Sequence, residues 1–349
     1  MTIRIVLITG SLLAGCIAPA SAASFDCAKA STPFEKAICS SDDLSLADER
    51  LSRTYQTAIG GLSQAALQTV RTDQREWLSY AQRFCTLDAK PMQSGTYDER
   101  GVSCLIDVFG SRSQVLEASR MIDGRRFYPI SEEVALPDPD AVGDPNPNWP
   151  VAKHELALLQ LDETADYAKD FNAFVKSQAT ALSDLAGALD GNDPDQLDAM
   201  SDTFVNVTLQ EQARDKRISL DVTTYWYGHG AAHGNGTISF LHYLVDEGRG
   251  LEAGDLFTGK RWESALVKLV ADALRAEHGD NLFLENDEDI AAIVTDPTRW
   301  DLSDDYFFSI QFNPYEVAAY AYGAPTARVS WEALAPYLSE NADSIRYGF

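Results

Sequence analysis

Residues 218–244 read ISLDVTTYWYGHGAAHGNGTISFLHYL. Ile218, Leu220, Val222, Thr224 and Trp226 alternate with their neighbours, and Ile238, Phe240, His242 and Leu244 resume the alternation beyond a glycine-rich stretch from Gly228 to Gly236. Period-two patterning on both sides of glycines, which accept turn conformations at no steric cost, predicts an antiparallel β-hairpin. Upstream, Thr203, Val205, Val207 and Leu209 alternate with Phe204, Asn206 and Thr208, which adds a strand. Downstream, Phe307 to Phe312 and Arg328 to Trp331 add short ones. Helical periodicity is expected from Glu163 to Leu189, from Arg261 to Glu277 and near Leu334. Residues 151–349 are therefore expected to form an α+β domain, an antiparallel sheet flanked by helices.

Toward the N-terminus the period changes from two to between three and four. Leu44, Leu51, Tyr55, Ala58, Ile59 and Leu62 lie on one helical face, with Ser41, Asp42 and Asp43 as candidate caps. A second amphipathic stretch, Ser63 to Leu87, carries Leu67, Val70, Trp77, Leu78, Ala81 and Phe84. A third, Cys104 to Ile122, carries Leu105, Val108, Val115 and Leu116. Residues 24–126 are thus expected to be an all-α domain. Pro137, Pro139, Pro145, Pro147 and Pro150 then crowd residues 127–150. Proline lacks a backbone donor and disfavours helix in the residue before it, so this stretch is expected to be a linker that neither helix nor central strand crosses.

Residues 1–22 have the three zones of a secretory signal: Arg4, an apolar run from Ile5 to Leu13, and the small-residue end Ala20-Ser21-Ala22. The run is far shorter than the roughly 20 residues that span a bilayer. Cleavage after Ala22 would release a periplasmic or secreted protein. Leu13-Ala14-Gly15-Cys16 instead has the form of a lipobox, in which an acylated Cys16 would hold an envelope lipoprotein to the membrane. In either case Cys27, Cys39, Cys85 and Cys104 remain, an even number in one segment of an exported chain, which favours two disulfides over metal ligation. Three pairings are open. A Cys85–Cys104 bridge across a helical hairpin would close a loop worth roughly 3 kcal/mol.

The net charge of -25 is unevenly placed. Residues 24–126 hold 13 Lys and Arg against 14 Asp and Glu, whereas residues 127–349 hold 14 against 39. An acidic second half excludes nucleic acid and anionic lipid as partners and suits a basic protein, whose approach it would accelerate. Solubility alone also accounts for such acidity.

With these residues in view, the N-terminal segment resembles the LprI lysozyme-inhibitor family. The likeness is carried by Phe25-x-Cys27, Glu35, Ala37-Ile38-Cys39, Leu44-x-Leu46-x-Asp48, Tyr55, Gln74-Arg75-x-Trp77-Leu78, Arg83, Cys85 and Cys104-Leu105, over residues 25 to 120 or so. Phe109 and Arg112 stand where a Tyr and an Arg mark the family's last helix. The C-terminal segment, about 150 to 340, resembles the extracellular domain of RsiV-type anti-sigma factors. Its matching residues are Tyr227-Gly228, Gly230-Ala231-Ala232-His233-Gly234, Leu251, Gly254-Asp255-Leu256-Phe257, Phe307-Phe308 and the block from Phe312 to Gly323. Both resemblances imply an encounter with lysozyme.

No Gly-x-Ser-x-Gly elbow, phosphate loop or His-Glu-x-x-His motif is present, and no cofactor, catalytic residue or metal is expected. His229 and His233 have the spacing of a helical metal pair, but four glycines around them make a helix improbable and no third ligand follows. Tyr315, Glu316 and Tyr320 are expected to form a self-bonded turn, and Arg75 and Trp77 a core contact with Asp73 or Glu76 as ion-pair neighbours. Tyr225, Tyr227, His229, His233 and Asn235, with Tyr243 near them, mark the hairpin tip as the expected partner contact. The expectation is a non-enzymatic envelope protein that binds and inhibits lysozyme or a similar basic wall hydrolase. The alternative is a sensor or scaffold for peptidoglycan.

Overall fold

The computed structural model describes residues 23–144, 146–185 and 197–349; the signal with Cys16 and residues 186–189 lie outside the described residues, and the helix expected as far as Leu189 ends at Ala181. The helical half opens with α1 (Pro33–Ser40), α2 (Asp42–Ile59), α3 (Gln64–Phe84) and α4 (Glu99–Glu117). Each begins on a residue whose side-chain oxygen satisfies an otherwise orphaned first-turn amide: Thr32, Ser41, Ser63 and Asp98. Their apolar faces meet in a core of Phe34, Leu44, Leu51, Trp77, Leu105 and Phe109, with the Trp77 and Phe109 rings edge to face at 5.3 Å. Cys27 bridges Cys39, and Cys85 bridges Cys104, tying the end of α3 to the second turn of α4. Of the three pairings open on sequence, this one staples neighbours.

The second half is a seven-stranded sheet in simple chain order: β1 (Arg120–Ile122), β2 (Arg125–Pro137), β3 (Val151–Leu161), β4 (Ser201–Ala213), β5 (Arg217–Gly228), β6 (Asn235–Leu244) and β7 (Arg249–Gly250). All neighbours run antiparallel except β3 and β4, which are parallel. A parallel pair needs a crossover, and α5 (Asp166–Ala181) lies within it, sealing one face of the sheet with Phe171, Val175 and Ala179 against Leu156, Val205, Val207, Leu220 and Val222. On the other face a smaller layer, β8 (Trp300–Asp301), β9 (Phe307–Gln311) and β10 (Thr326–Ser330), packs under α6 (Trp262–His278) around Trp300, Phe308, Ile310 and Val270. The row Ile238, Phe240, His242 on β6 was expected to mark one buried face. Here Leu241 and Tyr243 on the opposite face are buried too, because α5 covers one side and the smaller layer the other.

The segment expected to be a linker, 127–150, is strand as far as Pro137, with every residue from Phe127 to Pro137 in register with β3. Proline is tolerated because β1 pairs with only the first three residues of β2, so the rest of that strand is bonded by β3 on one side alone. Helix α3 occupies the other side. Asp73 accepts the Ser131 backbone N–H at 2.7 Å, in the role a neighbouring strand would fill. The Arg112 guanidinium, wholly buried, completes the junction by donating to Asp73, to Ser131 Oγ at 2.6 Å and to Gln74 at 3.0 Å. Asp73 therefore pairs with Arg112, while Arg75 donates to Thr72 at the surface. The two halves share a buried polar seam.

Candidate binding surface

Strands β5 and β6 pair from Arg217 with Leu244 out to Trp226 with Asn235, leaving His229 to Gly234 as the turn. The glycines are needed individually. Gly230 has φ +80°, and a Cβ on Gly234 would overlap the Tyr225 ring and hydroxyl. Tyr225 and Tyr227, two apart, share a face of the strand. Tyr225 stacks on Phe204 of β4 with centroids 5.5 Å apart, and Tyr227 leans on Trp149 at 6.2 Å while its hydroxyl donates to the Ala231 carbonyl.

The two histidines part company. His229 turns inward, its side chain 4% exposed, with Nδ1 2.5 Å from Asp138, Nε2 3.3 Å from Asp202 and its ring stacked on Trp149. It anchors the turn and is not available to a partner. His233 is exposed and stacks on Tyr320 at 4.0 Å. Its Nδ1 donates to the Gly234 carbonyl, which leaves Nε2 as the acceptor facing the Tyr315 hydroxyl at 3.5 Å. Asn235 is exposed opposite Trp226. Tyr243 lies away from the tip, buried against Phe171.

The block from Phe312 to Gly323 is the base on which the tip rests. Asn313 accepts the Ile238 backbone N–H at 2.8 Å, and Tyr320 donates to the Gly234 carbonyl at 2.8 Å. Glu316 closes its own turn by accepting the Asn313 N–H at 2.6 Å and pairs with Arg299 at 2.5 Å, so it is spent on structure. What results is a band of exposed aromatic and apolar side chains at one end of the sheet, Trp149, Tyr225, Ile238 and Tyr315 with His233 among them, while Trp226 is exposed on the opposite face. Trp149, Trp226 and Tyr315 were not among the expected contacts. Trp226 ends the alternating row of Ile218, Leu220 and Val222 and is exposed beyond the cover of α5, and Trp149 and Tyr315 reach the site only through tertiary packing.

Among the described residues no group of three or more His, Cys, Asp or Glu side chains is arranged to hold a metal, and no helix is long and apolar enough to cross a membrane. The surface offers shape, ring faces and hydrogen-bonding edges, which suits recognition of a partner.

Residues 27–124 match the family model described as lysozyme inhibitor LprI, and residues 254–332 match a family described as a protein of unknown function, DUF3298. An uncharacterized protein of Rhizobium meliloti is 28% identical over 123 residues, covering 31% of this chain and 88% of its own. Two solved DUF3298-family structures align with this chain at TM-score 0.44. The one from Bacteroides fragilis is 16% identical and covers 63% of this chain and 96% of its own; the one from Pseudomonas aeruginosa is 14% identical and covers 64% and 98%. Residues 27–124 are thus similar to the LprI family and residues 254–332 to the DUF3298 family. Neither family description names a reaction.

Proposed function

We propose, from an LprI-like segment joined to a DUF3298-like one, that this is an exported envelope protein that binds and inhibits a lysozyme or similar basic wall hydrolase. The match of residues 27–124 to the lysozyme-inhibitor family carries the reading. The RsiV-type likeness of the C-terminal half points the same way. The aromatic band at the hairpin tip is the docking surface, with Tyr227, His233 and Asn235 as contacts and Tyr225 and Tyr315 as apolar anchors. The 39 acidic against 14 basic residues of the second half favour encounter with a cationic hydrolase. Cys16, where acylated, would hold the protein at a membrane; where removed, the protein diffuses.

A turbidity assay of a basic lysozyme on bacterial walls, with the full disulfide-bonded chain added, tests the reading. Inhibition at near-equimolar ratio is expected, weakening at least tenfold between about 50 and 300 mM salt as the charges are screened. Tyr225→Ala combined with Tyr315→Ala should weaken it by more than tenfold, the scale of two lost anchors. Full muramidase activity at a large excess of the chain, with no capture on lysozyme-coupled resin, would sink the proposal.

A further inference from the structure

A cavity lies where the two halves meet, and neither half contains it alone. About 640 Å³ opens between α4 and the sheet face that α5 leaves uncovered. Along β4 the buried Val205 and Val207 turn to α5, so Phe204, Asn206 and Thr208 form the floor. One stripe of α4, Asp107, Ser111 and Gln114 at helical spacing, forms the wall. The cavity shares Lys153 and Phe204 with a second hollow of about 300 Å³ bounded by Tyr225 and Tyr227. A groove therefore runs from α4 to the hairpin tip.

Its chemistry is selective. The charges nearest the floor are matched internally: Lys153 pairs with Glu155 at 3.2 Å, and Arg112 lies between Asp73 and Glu133. By contrast the neutral side chains of Ser111, Gln114, Asn206 and Thr208 make no hydrogen bond to any described residue. Two amides and two hydroxyls supply donors and acceptors together. Phe204 and Tyr225, stacked with planes 21° apart, stand together where the two hollows join. β4 is hydrogen-bonded to β5 along its length and to β3 from Thr203 to Asn206, so a peptide strand finds open backbone only beyond Asn206. The unpaired Asp107 carboxylate at the wall disfavours an anion.

We propose that this inter-domain groove binds a neutral polyhydroxylated chain, a saccharide, with its C–H faces on Phe204 and Tyr225 and its hydroxyl and amide groups on Asn206, Thr208, Ser111 and Gln114. The negative ring face attracts the weakly positive C–H face of a pyranose, and the free amides and hydroxyls fix its orientation. This site goes beyond capture of a protein and stands without it.

Calorimetric titration of the full chain with chitotetraose, maltotetraose and tetra-alanine tests it. Saturable binding of a saccharide is expected, chitotetraose marking a wall-type N-acetylated glycan and maltotetraose an α-glucan. Ser111→Trp, which fills the groove from an exposed helix position, and Asn206→Ala should each weaken that binding tenfold or more with the thermal midpoint unchanged. Gln114→Trp serves in the same way should Asn206→Ala lower the midpoint. No heat with either saccharide at about 10 mM, a limit below 3 kcal/mol of affinity, would overturn the proposal. So would equal binding by the variants, or binding of the peptide alone.

Discussion

At the scale of single residues, the buried seam concentrates the strongest electrostatics. Glu133 stands directly opposite Glu155 across the β2–β3 ladder, an arrangement that like charges disfavour. Burial pushes the Glu133 carboxyl up from 4.5 to about 7, with Arg112 pulling the other way and Asp73 and Glu155 adding to the rise. A carboxyl with a raised folded-state value makes the fold prefer the proton: its contribution is fully present below about 4.5 and is lost as pH rises through about 7. The thermal midpoint should accordingly fall between these values. Glu133→Gln should flatten that decline and stabilise the protein by about 2 kcal/mol at pH 8, measured by denaturant melts across the range. An unchanged pH profile in the variant would reject the assignment. Arg112→Ala has the opposite sign. It strands Asp73 and Glu133 without their cation and should cost about 3 to 5 kcal/mol in the same melts.

Elements were legible in the sequence where one pattern ruled them. The helices and β4 to β6 follow their periods, and Ser41 caps α2 as expected. Strand β2 did not show itself, because prolines exclude a central strand but not one whose open side is served by a helix. Nor did the crossover nature of α5, since the parallel β3–β4 pairing has no local signal. At the candidate site the tyrosines of β5 were recognisable, while the inward turn of His229 depends on Asp138, 91 residues away in the chain. Arg112 was noted only as standing in place of a family arginine; its burial against Asp73, 39 residues distant, is a tertiary fact. The α3–α4 hairpin also yields a prediction of its own. Cys85→Ser with Cys104→Ser frees a 19-residue separation and should lower unfolding stability by about 3 kcal/mol, read as a shift in denaturant midpoint at constant slope.

In the molecule as a whole, the two halves work as one body. The LprI-like half contributes α3 to the side of β2 and α4 to the wall of the groove, so the groove exists only while both are folded together. The two halves also differ in charge and stapling: the helical half is near neutral and carries both disulfides, and the sheet half holds the excess of acidic residues. The Asp73 contact to the Ser131 backbone has one more result. A sheet normally ends in a row of free amides that recruits strands from other copies. Here β1 is three residues long, β7 is two, and the remaining flank of β2 is occupied by a helix bearing a carboxylate. The β2 flank is thereby closed to strand addition by another copy, which removes one of the two edges through which such a sheet could polymerise.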